Sequence, residues 1–432
     1  MDCPIFKASA NLLSWVFLLA FLPNFHVTKG TGVGFDVFNQ KSSKEKYVPD
    51  YRFYHNLSRL NECIHDLVSQ FPDVLDTQMR FRSRWGLSQY VLHFTNYSTK
   101  GAEHKQKVRV LLSFGEHAAE FLPVESMIYL LRTLTRGLRD PFGSPTHNFT
   151  RFVLDNIDLY LISLFNPDGR AIIERTSNYC WSGTASEADL NHHLSSFSPV
   201  FPRQVLVEPE CKVVKELLNS MKFDAVVSFH SGDKQMYIPV LDNIEPSSES
   251  NIPDQSDVLS FASQLNDLSN LYLKHTHVKS SQYSYAYSLF SYASFSRQVP
   301  FSFLVSLWGN GRGVKQKHNC FSVGNPRGEQ LQKTLESLHP FYTVLFRQLV
   351  SWKENKLKVD ADVRKAIFQG HSRAGFYSSK VFLFLIFLAF AAYFVAKFKM
   401  PFGWRLIYRR QRRIVSLRSL SSAFSFLLVA IL

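Results

Sequence analysis

The chain has 432 residues, 45% of them apolar, and a formal net charge of +14. That apolar fraction excludes a disordered chain, and the length suffices for one large domain with appendages. Much of the charge is a tail property: Lys397, Lys399, Arg405, Arg409, Arg410, Arg412, Arg413 and Arg418 sit together, with no acidic residue after them. No nucleic acid partner is expected from a cluster so placed.

In chain order, residues 1–30 read as a secretory signal peptide, with Lys7 ahead of the short apolar run from Leu12 to Pro23. Residues 31–47 form a lead-in rich in Gly, Ser and Lys. Residues 48–352 read as one α/β domain, without internal repeats. Apolar runs predict strands at Arg109–Phe114, Ile157–Phe165, Ala225–Phe229 and Phe301–Leu307. Helical spacing predicts helices over Pro123–Leu134 and Glu329–Leu349. Strands alternating with helices predict a doubly wound mixed β-sheet flanked by helices, with ligands near the strand ends.

Asn56, Asn96 and Asn148 each open a glycosylation sequon. Cys63, Cys180, Cys211 and Cys320 remain beyond the signal, an even number that predicts two disulfides with the pairing open. Residues 353–379 read as a polar stalk. Residues 380–397 read as a transmembrane helix whose apolar core, Val381 to Ala396, reaches only about 24 Å at ~1.5 Å per residue. Flanking lysines can snorkel to the interface. Residues 398–432, basic and then apolar, would lie on the cytoplasmic side against anionic lipid. The expectation is a single-pass type I membrane protein of the secretory pathway, its domain lumenal or extracellular.

Gly115-Glu116-His117-Ala118-Ala119-Glu120 places a histidine and a glutamate three apart just after a predicted strand. A turn into a helix there can aim both side chains at one point. His230 ends a second predicted strand and can complete a set of two imidazoles and a carboxylate, which suits Zn2+ at one ion per chain. With Asn166-Pro167-Asp168-Gly169, Ala188-Asp189-Leu190-Asn191, Cys180-Trp181 and Asn325-Pro326, this order resembles the M14 zinc metallocarboxypeptidases, which remove residues from peptide C-termini. The resemblance implies a zinc carboxypeptidase fold, metal ligands His117, Glu120 and His230, and Asp189 orienting the first histidine.

The same resemblance shows what is missing. The family's general-base glutamate falls at Ser306, or at Leu304 in another register, and no Asp or Glu occurs from Leu268 to Gly328. Family arginines fall at Ala119 and Ser182, and the pair that binds the substrate carboxylate falls at Asn191 and His192. Guanidinium loss from carboxylate recognition is not conservative. Glu116, Glu125 and Asp233 are candidate substitute bases, though Glu116 is expected to point away along a strand. Arg175 and Arg297 are candidate substitute cations, His193 could join His192 in binding an anion or a second metal, and the family's tyrosine over the substrate has no assigned position, with Tyr292 nearby in sequence. Three readings follow: a zinc-bound, catalytically impaired pseudoenzyme that binds a peptide or protein C-terminus; an active carboxypeptidase with a relocated base; and a structural or adhesion module.

Overall fold

The structure is a computed structural model that describes residues 45–98, 107–190, 208–240, 253, 255–279, 288–309 and 320–397. The segments 1–30 and 398–432, and with them the expected signal and basic tail, lie outside the described residues. The chain divides into two compact units, Met1–Lys353 and Glu354–Leu432.

The first unit is built on eight strands: β1 (Leu75–Arg82), β2 (Ser88–Phe94), β3 (Val108–Phe114), β4 (Ile157–Ile162), β5 (Ala225–Gly232), β6 (Lys234–Val240), β7 (Lys274–Lys279) and β8 (Phe301–Gly309). They form one sheet in the order β1-β2-β4-β3-β5-β8-β6-β7. The centre, β4-β3-β5-β8, is parallel, and antiparallel pairs join β2 to β4 and β6 to β8. Buried on both faces, the central strands read as continuous apolar runs rather than alternating ones. Residues of one strand nonetheless divide between two cores. Ala225, Val227 and Phe229 of β5 enter the larger core, while Val226 enters the smaller.

Helices cover both faces, as the doubly wound expectation requires. Against the larger core lie α1 (Leu57–Gln70), α2 (Phe121–Gly137), α3 (Pro145–Asn156) and the start of α8 (Gly328–Lys397), with α4 (Pro167–Thr176) contributing Ile172 and Ile173. On the other face lies α5 (Lys212–Ser220), through Val213, Val214 and Leu217. The short α7 (Cys320–Gly324) follows α6 (Gln255–Ser269) in the chain and buries Phe321. Phe341, Leu345, Phe346 and Leu349 show why the predicted Glu329–Leu349 helix forms: its apolar stripe fills the larger core.

The expected polar stalk, residues 353–379, is helical as part of α8, which runs to Lys397. The membrane-spanning reading of 380–397 is not supported: among the described residues no helix is long and apolar enough to cross a membrane. The apolar run of that segment, Val381 to Ala396, reaches about 24 Å at ~1.5 Å per residue against a hydrocarbon core of about 30 Å. One of the two expected disulfides is present, Cys180–Cys320, while Cys63 and Cys211 carry free thiols. Cys63 lies on α1 beside the larger core and Cys211 is buried in the smaller one, on opposite faces of the sheet.

Candidate metal centre

The strand registers bring the site together. Phe114, the last residue of β3, pairs with Phe229 of β5, so the chain leaves β3 beside His230. Gly115 makes the turn at φ +68°, where a Cβ would stand 2.5 Å from Leu164 Cδ1. His117 follows, and Glu120 occupies the N-cap position of α2. Buried polar side chains hold this loop. Asn166 donates to the Glu116 and Gly183 carbonyls, and Arg170 donates to the Ala118 and Glu120 carbonyls. Asn325 accepts from Phe121 N and Leu122 N and donates to Ala119 O. Arg170 also lies 3.5 Å from the centre of the Phe121 ring. The sequence signal for Asn166 was its Asn-Pro-Asp-Gly turn; nothing in the pattern marked Arg170.

His117 Nδ1 lies 2.8 Å from Glu120 Oε1 and 3.3 Å from His230 Nδ1, and His230 Nδ1 lies 3.1 Å from Glu120 Oε2. These three residues form a cluster able to hold a metal ion. Zinc bonds of about 2.0–2.2 Å at tetrahedral angles separate ligand atoms by roughly 3.3 Å, so the spacing fits that ion. The donor set fits too, because two Nδ1 atoms facing each other across 3.3 Å need a cation or a proton between them.

Behind each of the two histidines stands a carboxylate. His117 Nε2 meets Asp189 Oδ1 at 3.3 Å, and His230 Nε2 meets Glu116 Oε2 at 3.3 Å. Glu116 is fully buried, and Ser113 and Ser228 donate to its Oε1. Without a cation, burial disfavours charge on His230, but the Glu120 and Glu116 carboxylates outweigh it and push the imidazole up to about 9. Burial likewise opposes ionisation of Glu120, yet His117 and His230 draw it down to about 2. His117 is raised well above its ordinary value, with Glu120 and Asp189 overcoming burial.

His117 and Glu120 open on a cleft of about 200 Å³ that Ala119, Ser182, Asp189 and the Cys180–Cys320 disulfide also line. Among the described lining residues the carboxylates are Glu120 and Asp189. Ser306 pairs with His230 across β5 and β8, while Leu304 pairs with Ser228 and enters a small apolar cluster with Tyr237. The Ser306 hydroxyl donates to Asp233 O at 2.6 Å and accepts from Asp233 N.

The substitute groups are placed elsewhere. Glu116 sits at Nε2 of His230, on the side of the ring away from the converging Nδ1 atoms. Glu125 bonds His55, and Asp233 accepts from the Tyr237 hydroxyl. Arg175 stacks near Trp85, Arg297 donates to Leu218 O, and Tyr292 is buried in the smaller core. Asn191, His192 and His193 lie outside the described residues. Of the sequons, Asn56 caps α1 by accepting from Arg59 N, Asn96 accepts from Ser98 N, and Asn148 is exposed and donates to Gly143 O.

The zinc carboxypeptidase family, M14, matches residues 60–337, and the chain belongs to that family. It is 28% identical over 137 residues to carboxypeptidase A1 of Rattus norvegicus, and 26% identical over 149 residues to that of Bos taurus. The rat match covers 32% of this chain and 30% of the relative, so the chain spans under a third of that enzyme's length. Carboxypeptidase A from Helicoverpa armigera superposes with a TM-score of 0.54 at 15% identity, over 73% of this chain and 78% of that one. Thrombin activatable fibrinolysis inhibitor superposes at 0.52 and 16% identity, over 73% and 80%.

Proposed function

We propose that this chain is a zinc-holding, catalytically silent M14 protein that captures a peptide or protein C-terminus in its cleft. The observation that carries the reading is Ser306. It stands beside His230, at the position the resemblance implies for the family's base, and its hydroxyl bonds the Asp233 backbone. A serine so bonded has no acceptor ready to take a proton from an attacking water. His117, Glu120 and His230 would hold the ion, and Asp189 and Glu116 would fix the two rings. Zinc there would act as a Lewis acid toward a bound carbonyl or carboxylate oxygen. Ala119 and Ser182 line the cleft where arginines would otherwise grip the substrate. At about 200 Å³ the cleft is smaller than a usual ligand pocket and suits one terminal residue.

The test is to incubate the zinc-loaded full chain with a mixed peptide library, following both retention and loss of C-terminal residues by mass spectrometry. The expected result is retention of peptides with free C-termini, weaker retention of amidated ones, and no trimming. Zinc-dependent trimming that disappears in His117→Ala would overturn the silent reading in favour of an active carboxypeptidase. Equal retention of free and amidated peptides would overturn C-terminus capture.

We also propose that the chain enters the secretory pathway and that its C-terminal region engages lipid. Support comes from the disulfide, which suits an oxidising compartment, and from the solvent-facing apolar run Val381–Phe387 preceding the basic tail. Flotation with anionic vesicles that fails for a chain ending at residue 379 is the expected result. Flotation undiminished by that truncation would remove the proposal.

A further inference from the structure

A second cluster of reactive groups lies away from the metal cleft, where α1 meets α2. His55 and Glu125 are both more than nine-tenths buried, and His55 Nδ1 lies 2.7 Å from Glu125 Oε2. The His55 backbone N–H also donates to Glu125 Oε1 at 2.6 Å, which fixes the carboxylate beneath the ring. The other side of the ring faces Cys63, with which it shares a hydrogen bond. Arg132 Nη2 lies 3.4 Å from Cys63 Sγ and 3.4 Å from His55 Nε2. A thiol, an imidazole, a carboxylate and a guanidinium are thus arranged in sequence. Beside them is a cleft of about 440 Å³ lined by His55, Glu125, Tyr129, Arg132 and Arg136. None of these residues lines the metal cleft.

We propose that Cys63 is a nucleophilic thiol that exchanges with a small disulfide bearing carboxylates, whose anionic groups Arg132 and Arg136 receive. The thiolate is the attacking species, and a neighbouring cation favours it. Burial opposes ionisation of Cys63, but the His55 hydrogen bond and the Arg132 charge outweigh burial and hold the thiol below its ordinary range. In the exchange the Cys63 sulfur attacks one sulfur of the disulfide. A new S–S bond to Cys63 forms as the old one breaks. The departing sulfur leaves with the electron pair and takes up the proton that His55 received from the Cys63 thiol. The disulfide is the oxidant, and the products are one mixed disulfide and one free thiol. Cys211 is an internal reference: it is buried among apolar side chains, which pushes its thiol up.

The test uses the full chain with zinc bound. Iodoacetamide and glutathione disulfide are the probes, and peptide mass mapping reads the modified cysteine. At about pH 6.5, Cys63 should be alkylated roughly threefold or more faster than free glutathione, after allowing for the lower intrinsic nucleophilicity of a more acidic thiol. Glutathione disulfide should form an adduct on Cys63, leave Cys211 unmodified, and react faster than the cationic disulfide cystamine. Arg132 is exposed, so Arg132→Ala should fold and retain zinc while losing the rate advantage, and Arg132→Lys should restore part of it. His55→Ala should lose the advantage as well; if it fails to fold, the Arg132 pair decides alone. Alkylation no faster than glutathione, or a rate unchanged in Arg132→Ala, would overturn the reactive thiol. Equal rates with the two disulfides would overturn the anionic substrate.

Discussion

Glu116 places a fully buried carboxylate 3.3 Å behind His230 Nε2. Ser228 also touches that nitrogen, at 2.8 Å. A carboxylate behind a ligating histidine fixes the ring and raises its basicity, and removing such a partner commonly lowers metal affinity about 10–100-fold. Glu116→Gln, which keeps the shape and removes the charge, should weaken zinc binding within that range, as read by chelator competition. Unchanged affinity would reduce Glu116 to a packing role. The cluster of three was legible because His117 and Glu120 share a turn and His230 ends a strand. The place of Glu116 behind the His230 ring was not legible, for a definite reason. Alternation along a strand predicts a side chain pointing away from the site, but β3 ends at Phe114 and Gly115 turns the chain at φ +68°. Past that turn the strand rule does not apply, and Glu116 swings under His230. Ser306 was legible only up to a two-residue ambiguity with Leu304; in the sheet Ser306 pairs with His230 and Leu304 with Ser228.

The start of α8 holds a histidine whose titration should be visible in stability. His339 packs against Tyr129 and Phe149, and its Nδ1 is buried with no hydrogen-bond partner among the described residues. Burial, with the Arg136 charge adding to it, pushes the imidazole down to about 4. The sign follows from linkage. In the unfolded chain the ring takes a proton as pH falls through about 6.5, while in the folded chain it stays neutral until about 4. The folded state therefore loses stability across that window and is unaffected above it. The expected loss is about 3 kcal/mol by pH 4. Denaturant midpoints measured from pH 7 to 4 should fall less steeply in His339→Leu than in the parent chain; parallel curves would refute the assignment. Strong apolar runs gave β3, β4, β5, β8 and α2 directly from the sequence. Strands β1, β2, β6 and β7 carry a weaker signal, because Asp76, Arg80, Ser88, Gln89, Lys234, Gln235 and the alternating Lys274-His275-Thr276-His277 break the apolar pattern. Pairing supplies what their side chains do not advertise.

At the scale of the whole molecule, the Cys180–Cys320 bond closes a loop of 140 residues and ties the segment after α4 to α7. Both cysteines also line the metal cleft, so one covalent link serves the fold and the site. The number of cysteines foretold disulfides but not this pairing, which depends on the crossing of chain segments that the sheet order creates. In the chain-entropy account a loop of this size constrains the unfolded state by about 5 kcal/mol, and native disulfides typically contribute about 2–5 kcal/mol when removed. The double variant Cys180→Ser with Cys320→Ser leaves no unpaired thiol at the position and should lower the urea midpoint accordingly. Because Ala118 N donates to Ser182 O two residues beyond Cys180, freeing that segment should also loosen the loop carrying His117. The variant is therefore expected to release zinc at a lower chelator concentration than the parent, while still folding cooperatively. A lowered midpoint with unaltered zinc affinity would confine the bond to a global role, and an unchanged midpoint would show that the metal and the cores hold the two segments without it.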